Sequence, residues 1–345
     1  MLALLITLAA VVAAAAAWHA VFVTPRQLQM TVLDVDVDQL PPAFDGYRIA
    51  VLADFHHGPQ QPIARARRAV AYVNSQFPHL AVLLGDYGTS EWFAPRVSRR
   101  WYSRTFRLLG PVLSELRTRD GVLAVIGNHD YYASGEQTAQ WLQGLGVRVL
   151  RGEAVEFTSP EGSLRIVGID DFEEGVVDPH ATRALLAGDT PTIVLSHHPD
   201  AVQHCQQPSV RLVLSGHTHG GQVVLPWIGA PVTRSQVCPP LHPAGWVPNP
   251  YAPLFVSRGI GSQVPVRFGA PPEVVILTLR ARPTADASPT PTRSAPHVWA
   301  APAHPPATPT HSLQHRVHDT IPQVTGEKED HVARRPQTTD GEQLG

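Results

Sequence analysis

Eight short apolar runs recur along the chain, and each has the length of a buried β-strand. Most are apolar at nearly every position, which is typical of strands covered on both faces. They span residues 47–54, 80–86, 121–128, 164–171, 192–198, 210–217, 252–259 and 273–279. Helical patterns lie between several of them, at residues 62–76, 99–118, 135–146 and 178–188. Strands that alternate with helices predict an α/β fold.

Five of these runs end in side chains that commonly bind metal ions. These are Asp54 with His56, Asp86, Asn128 with His129 and Asp130, His197 with His198, and His217 with His219. In open α/β sheets, sites form just outside the carboxyl ends of the strands, so residues distant in sequence can converge there. Taken singly, each residue has an ordinary explanation as a helix cap, a turn residue or a core histidine. Taken together, their repeated placement favours one shared site.

The spacing and chemistry of these residues indicate a centre for hard or intermediate cations. If the strands continue through the pairs Asp54–His56 and His217–His219, both side chains of each pair project to the same face. The ligand types are carboxylates, an amide and imidazoles, which suit Mn, Fe or Zn. Seven candidate ligands suggest two ions that share a bridging carboxylate, an arrangement used for phosphoryl displacement.

Cysteine content and charge narrow the function classes. The chain has two cysteines, Cys205 and Cys238, too few for a disulfide framework or a cysteine-based zinc site. A single disulfide between them stays open at this point. The formal net charge of -2 gives no electrostatic basis for nucleic-acid binding, so no nucleic-acid partner is expected.

The five motifs, in this order over about residues 47–222, resemble those of the calcineurin-like metallophosphoesterases. The similarity extends to a bacterial branch with an N-terminal membrane segment, through residues 216–222, 257–261 and 266–269 and the Pro272-Glu273 pair. The resemblance implies an α/β fold of four layers, an αββα sandwich in which two mixed β-sheets are flanked by helices. It also implies that metals bind at one edge of the sheets.

The resemblance further implies a role for each site residue. Two divalent ions would share Asp86, and a water or hydroxide bridging them would attack phosphorus. The first ion would be held by Asp54, His56 and His219, and the second by Asn128, His197 and His217. His129 would stabilise the developing charge or protonate the leaving group, and Asp130 would orient His129 through a hydrogen bond.

The two ends of the chain differ in composition from the middle. Residues 1–23 contain no Asp, Glu, Lys or Arg and are long enough to span a bilayer as a helix. We expect residues 1–24 to form a single-pass transmembrane anchor, or alternatively a cleaved signal segment of a secreted protein. Residues 25–282 form the predicted metallophosphoesterase domain. Residues 283–345 are rich in Pro, Ala and Thr, which predicts a disordered tail.

The expected activity is metal-dependent hydrolysis of a phosphate ester or pyrophosphate. The apolar N-terminus favours membrane attachment, a bacterial cell-envelope location and a phosphodiester or lipid-linked substrate. Two alternatives stay open: a protein phosphatase or nuclease on the same scaffold, and a non-catalytic, metal-bound membrane scaffold.

Several residues keep more than one interpretation. Arg258 and Arg267 could contact phosphate or support the fold. The long irregular segment at residues 226–253 could shape the substrate pocket or touch lipid. Four aromatic residues after Asp86 could form a lid or pack in a helix: Trp92, Phe93, Trp101 and Tyr102.

Overall fold

The computed structural model describes residues 1–58, 61–89 and 99–282, and for residues 99–102 the backbone alone. The predicted tail at 283–345 lies outside this range, as do Trp92 and Phe93 and the side chains of Trp101 and Tyr102. The described part contains twelve strands. They are β1 (Gln29–Val37), β2 (Arg48–Leu52), β3 (Leu80–Leu83), β4 (Val122–Ala124), β5 (Arg148–Val149), β6 (Glu153–Ser159), β7 (Gly162–Gly168), β8 (Thr192–Leu195), β9 (Val210–Ser215), β10 (Gly245–Val247), β11 (Leu254–Val256) and β12 (Glu273–Ala281).

Six α-helices accompany these strands. They are α1 (Leu2–Trp18), α2 (Ile63–Ser75), α3 (Arg99–Leu113), α4 (Asn128–Ala133), α5 (Gly135–Gly144) and α6 (Pro179–Leu185). All eight predicted strands and all four predicted helices are confirmed. Several predicted strands extend beyond the carboxyl ends of the observed ones. The candidate metal ligands that were included in those predictions lie in the loops that follow the strands.

The strands form two mixed six-stranded sheets. The first has the order β1-β12-β2-β3-β4-β5, and the second has the order β10-β11-β9-β8-β7-β6. Strands β2, β3 and β4 are parallel, and so are β8 and β9. The carboxyl ends of parallel neighbours meet at one edge of a sheet, so the loops after β2, β3 and β4 lie together, and so do the loops after β8 and β9.

Alternation along each strand divides its side chains between two cores. In β2, Ile49 and Val51 belong to the apolar core between the sheets, whereas Ala50 and Leu52 pack under the helices. The outer face of the first sheet contacts α2, α3 and α5. The outer face of the second sheet is covered by a separate cluster that includes residues next to α6 and the 3-10 helix Pro199–His204. The four-layer αββα sandwich is therefore confirmed.

The N-terminal helix projects away from these layers. No residue of α1 is buried, and the helix continues to Arg26 through a π-turn and a 3-10 turn. The 25-residue helical stretch Leu2–Arg26 is long and apolar enough to cross a membrane. The carboxyl end of this stretch packs on the domain, where Thr24 and Pro25 are buried.

Candidate metal centre

The Asp86 carboxylate stands at the middle of the cluster, in the loop after β3. Its Oδ2 atom lies 3.2 Å from Nε2 of His56 and 3.3 Å from Nε2 of His197. Its Oδ1 atom accepts a hydrogen bond of 3.0 Å from the backbone N–H of His129. One carboxylate therefore faces two histidines that follow strands of different sheets.

On one side of Asp86, a second carboxylate joins two imidazoles. Nε2 of His56 lies 2.9 Å from Nε2 of His219, which in turn lies 3.3 Å from Oδ1 of Asp54. The Asp54 carboxylate also accepts hydrogen bonds of 3.1 and 3.2 Å from the backbone N–H of His217. This second contact ties the loop after β2 to the loop after β9.

On the other side, an amide and two imidazoles converge. Nε2 of His197 lies 3.2 Å from Oδ1 of Asn128 and 3.3 Å from Nδ1 of His217. Asn128 is the first residue of α4, and His197 follows β8. The structure thus brings together all seven residues that the sequence nominated as ligands.

Five of these seven residues have left-handed backbone conformations. The φ angles lie between 41° and 69° at Asp54, His56, Asp86, His217 and His219. A non-glycine residue in this region costs of order 1–3 kcal/mol and persists where the surroundings hold it. The strands therefore do not continue through these residues, so the condition under which both side chains of each pair would project to the same face is not met. Sharp turns bring the side chains together instead.

Hydrogen-bond acceptors outside the cluster orient three of the histidines. Nδ1 of His197 donates to the carbonyl oxygen of Leu84 over 2.6 Å, and Nδ1 of His219 donates to Oε1 of Gln222 over 2.7 Å. Nε2 of His217 contacts the carbonyl oxygen of Arg234 at 3.2 Å. Because these acceptors take one ring proton, the opposite ring nitrogen of each imidazole turns its lone pair toward the cluster when the ring is neutral, as metal binding requires.

Sequence reasoning missed these outer partners. Gln222 follows the histidine motif directly and could have been noticed as a polar neighbour three residues after His219. The other two acceptors are backbone carbonyls, which carry no residue-type signal in a sequence.

The electrostatics of the cluster favour an ionised Asp86. Burial acts to raise its pKa, but the charge of His197 and two further histidines holds the pKa well below its usual range. Burial acts to lower the pKa of His197, but the Asp86 carboxylate raises it well above its ordinary value. At Asp54, burial is likewise outweighed, here mainly by His219, and the pKa is lowered. Buried anions of this kind are the groups that bind cations.

Asp130 occupies a supporting position at the start of α4. Its carboxylate accepts three backbone hydrogen bonds, from Asp86 and Gly127 at Oδ2 (2.8 and 3.0 Å) and from Tyr87 at Oδ1 (3.0 Å). These bonds fix the loops that carry Asp86 and Asn128. The hydrogen bond between Asp130 and His129 that the resemblance implies stays a prediction.

His129 lines a cavity beside the cluster. Its ring meets that of His56 edge to face, with centroids 4.9 Å apart, and burial lowers the pKa of His129 to about 4. The cavity has a volume of about 310 Å³. It reaches Asp86, Asn128 and His217 and also His219, so a small ligand in it would meet both sides of the cluster.

The backbone at Gly127 lies so close to Asp86 and His197 that it leaves no room for a larger residue. A Cβ added to Gly127 would lie 2.3 Å from Oδ1 of Asp86 and 2.9 Å from Nδ1 of His197. Glycine at this position is therefore what allows the loop after β4 to reach Asp86.

Other polar residues near the cluster make contacts within the protein. His57 points its Nδ1 toward the carbonyl of Gln61, and His198 contacts Glu173 and Asp200. Arg258 pairs with Glu273. Arg267 is fully buried and donates to carbonyl oxygens of four residues: Arg258, His219, Gly261 and Ala270. Both arginines therefore support the fold. Cys205 and Cys238 are free, buried thiols.

The donor set fits divalent cations. The ligand atoms of Asp54, His56, Asp86 and His219 all lie within 4.8 Å of one another, and all four residues are buried. Carboxylate oxygens and imidazole nitrogens without thiolates suit Mn, Fe or Zn. The cluster is therefore able to hold metal.

Comparisons with known proteins agree with this geometry. The family model described as calcineurin-like phosphoesterase matches residues 47–221. The phosphodiesterase YaeI of Escherichia coli (strain K12) is 30% identical over 240 residues, which cover 68% of this chain and 82% of that protein. The UDP-2,3-diacylglucosamine pyrophosphatase LpxG of Chlamydia trachomatis is 24% identical over 304 residues, covering 73% of this chain and 89% of that protein.

A further relative carries its membrane character in its name. The transmembrane protein with metallophosphoesterase domain from Bos taurus is 30% identical over 286 residues, covering 74% of this chain. The present chain spans 57% of the length of that protein. The family model matches just over half of the residues, and the αββα sandwich carries the metal-binding cluster at its edge. The chain therefore belongs to the calcineurin-like phosphoesterase family.

Proposed function

We propose that this chain is a hydrolase that uses two divalent cations to cleave a phosphodiester or pyrophosphate bond in a lipid- or envelope-linked substrate. The observation that carries the proposal is the position of Asp86, whose Oδ2 lies 3.2 Å from His56 and 3.3 Å from His197. A carboxylate placed between two sets of nitrogen and oxygen donors suits a pair of ions better than one.

The ligand sets follow from the two sides of this carboxylate. The residues that would hold the first ion are Asp54, His56 and His219, and those that would hold the second are Asn128, His197 and His217. Asp86 would contact both. When bound, the cations would supply Lewis acidity toward the phosphoryl oxygens and lower the pKa of a coordinated water to give the nucleophile.

The protein's own groups position the substrate and the leaving group. His129 lines the cavity beside Asp86 and can donate a hydrogen bond to a phosphoryl oxygen or to the leaving oxygen. Its backbone N–H holds Oδ1 of Asp86, so main chain and side chain of one residue serve two tasks. Asp130 fixes the backbone on both sides of this arrangement through its three amide contacts.

The substrate class rests on the relatives and on the N-terminal helix. One relative is named a phosphodiesterase and another a pyrophosphatase of a diacylated nucleotide sugar. The apolar stretch Leu2–Arg26 would hold the domain at a membrane, and a single-pass anchor in the bacterial envelope is the location we propose. A secreted form after cleavage is the alternative.

The test compares purified wild-type protein with Asp86→Asn in the hydrolysis of an aryl phosphodiester with added Mn²⁺. Asp36→Asn serves as the matched control, because Asp36 is exposed on β1, away from the cluster. We expect turnover in wild type and control and its loss in Asp86→Asn, together with loss of bound metal by elemental analysis. Retained metal without turnover of monoesters, diesters or nucleotide-sugar lipids would instead identify a non-catalytic scaffold.

A further inference from the structure

A short hairpin beside the cavity presents two large apolar side chains to solvent. Leu225 and Gly229 exchange both backbone hydrogen bonds, each 2.9 Å long, and Trp227 lies at the tip with φ of 63°. Trp227 is 97% exposed and Ile228 is 64% exposed. Two large apolar side chains that are adjacent and this exposed form a candidate contact site for a partner or a membrane.

The hairpin stands on a fixed base. Ala230, directly after it, is buried, and its backbone N–H donates to the carbonyl of Pro240 over 2.8 Å. A Cβ added to Gly229 would lie 2.2 Å from that same carbonyl oxygen. The base is therefore packed tightly, and the exposure of Trp227 follows from the backbone path of the hairpin.

Backbone pairing joins the hairpin to the docked end of the N-terminal helix. The N–H of Val224 donates to the carbonyl of Phe268 over 2.7 Å, and the N–H of Arg267 donates to the carbonyl of Ala20 over 2.9 Å. The ring of Phe268 lies 6.2 Å from that of His19. Trp227 lies three positions after Val224, a reach of at most about 10 Å, so the tip lies close to the end of the helix.

The same segment forms one side of the cavity. Val223 and Val232, on either side of the hairpin, line the cavity together with Val264. Gln222, which orients His219, also donates to the carbonyl of Val266 over 3.2 Å. The exposed apolar tip, the helix end and the cavity mouth are thus parts of one connected surface.

Basic residues accompany this surface. Arg26 ends the N-terminal helix, and Arg65 and Arg68 lie three positions apart on one face of α2, close enough to Arg26 for its charge to act on Arg65. Arg26 and Arg68 are exposed. Arginines next to a membrane span attract anionic headgroups.

We propose that Trp227 and Ile228 enter the interfacial layer of the same bilayer that receives the N-terminal helix, with anionic lipid headgroups against the arginines. Tryptophan is favoured at this depth because its ring is apolar while its N–H stays near water. Contact of this hairpin with the bilayer is separate from the proposed hydrolysis and does not require turnover. It would place the cavity at headgroup level, within reach of phosphate groups of membrane-embedded molecules.

The test uses the full chain in vesicles of phosphatidylcholine and phosphatidylglycerol, with a polarity-sensitive fluorophore on single introduced cysteines. Trp227→Cys and Ile228→Cys probe the tip, and Val11→Cys in α1 marks the bilayer interior. Phe77→Cys is the matched control, because Phe77 is also an exposed apolar residue (41%). It precedes β3 and so lies at the amino end of that strand, whereas the cluster lies at the carboxyl end. The native thiols Cys205 and Cys238 are buried and should not react.

We expect quenching by spin-labelled lipids to be severalfold stronger at positions 227 and 228 than at 77, with a blue-shifted emission. Equal quenching at 227, 228 and 77 would overturn the proposal, and so would an unquenched label at 11. Thermal unfolding of each labelled protein checks the fold without reference to activity. A chain that docks in this way but hydrolyses nothing would refute the proposed function and leave this surface standing.

Discussion

The Nε2 atoms of His56 and His219 lie 2.9 Å apart, although 163 positions separate the two residues in the sequence. Two ring nitrogens at this distance repel through their lone pairs unless a proton or a cation lies between them. Gln222 accepts the proton of Nδ1 in His219, so the Nε2 lone pair of that ring is free to face His56. Metal binding at this contact should therefore depend on the hydrogen bond that Gln222 accepts from His219.

Gln222→Met should weaken metal binding while leaving the fold intact. The variant keeps the length of the side chain but removes the acceptor for Nδ1 of His219, and loss of such outer partners typically costs about 10–100-fold in metal affinity. Titration of the purified protein with Mn²⁺ measures the change. Gln143→Met, at an exposed position of α5, should bind metal like wild type. Equal affinities in both variants would show that Gln222 does not orient the ring.

Gly127→Ala should remove activity and destabilise the protein. The added methyl group would meet Oδ1 of Asp86 at 2.3 Å, and overpacking of this kind typically costs about 1–3 kcal/mol. Gly144→Ala provides the control, since a Cβ there meets no atom within 4 Å. Alanine is favoured over glycine in helices by up to about 1 kcal/mol, so the control should unfold at the same or a higher temperature. A Gly127→Ala variant with normal Tm and turnover would contradict the close approach.

Asp130→Asn and His129→Gln should separate support from catalysis. Asp130→Asn disturbs three backbone hydrogen bonds in a buried position, which should cost about 1–3 kcal/mol and lower Tm and metal affinity together. His129→Gln keeps the backbone N–H that holds Asp86, so it should retain metal and lose roughly 10²–10⁴-fold in kcat. Denaturation, metal content and kinetics of both variants measure the contrast. Unchanged Tm in Asp130→Asn would remove its supporting role.

His79 should make stability fall in mild acid. Burial, helped by Arg119 and Arg48, lowers the pKa of His79 to about 4, and its Nδ1 accepts the N–H of Arg48 over 2.8 Å. The unfolded chain protonates this ring near its usual value of about 6.5, so the unfolded state binds more protons between these two values. Stability from the neutral ring is therefore complete above about pH 6.5 and is lost as the pH falls toward 4.

The measurement compares urea midpoints of wild type and His79→Asn at pH 8, 7 and 5. Asparagine can accept the same N–H but does not titrate, so the variant should lose less stability between pH 7 and 5. Between pH 8 and 7 the two proteins should behave alike. Parallel losses at pH 5 would assign the acid sensitivity to other groups.

The sequence predicts the strands best where they are buried on both faces. The runs that became β2, β3, β8 and β9 are apolar at nearly every position, and their ends located the site residues. Strand β1 was not predicted, because it alternates between exposed Asp34 and Asp36 and buried Val35 and Val37 at the edge of a sheet. Strand β6 shows the same half-buried pattern and was also missed. The pairing into two sheets came from the family resemblance, since periodicity carries no information on strand order.

The candidate site was predictable in its residue types and not in its backbone. Aspartate and histidine after apolar runs signal metal chemistry, but nothing in the letters shows that Asp54 and His56 adopt left-handed conformations. The partners of His197 and His217 are the carbonyls of Leu84 and Arg234, which any residue could supply. The support role of Arg267 depends on its complete burial, a property of the tertiary structure alone.

The bond between Arg267 and Ala20 bears on how a water-soluble version of this protein should be engineered. Cutting the chain after Arg26 would delete the carbonyl that receives the Arg267 N–H and uncover the pocket filled by Thr24 and Pro25. The Arg267 side chain also donates to the carbonyl of His219. Displacement of Arg267 would therefore disturb the backbone that carries a candidate metal ligand. A truncation that begins at His19 removes the apolar helix α1 and keeps the hydrogen bond between Arg267 and Ala20. This shorter chain is the better starting point for crystallisation.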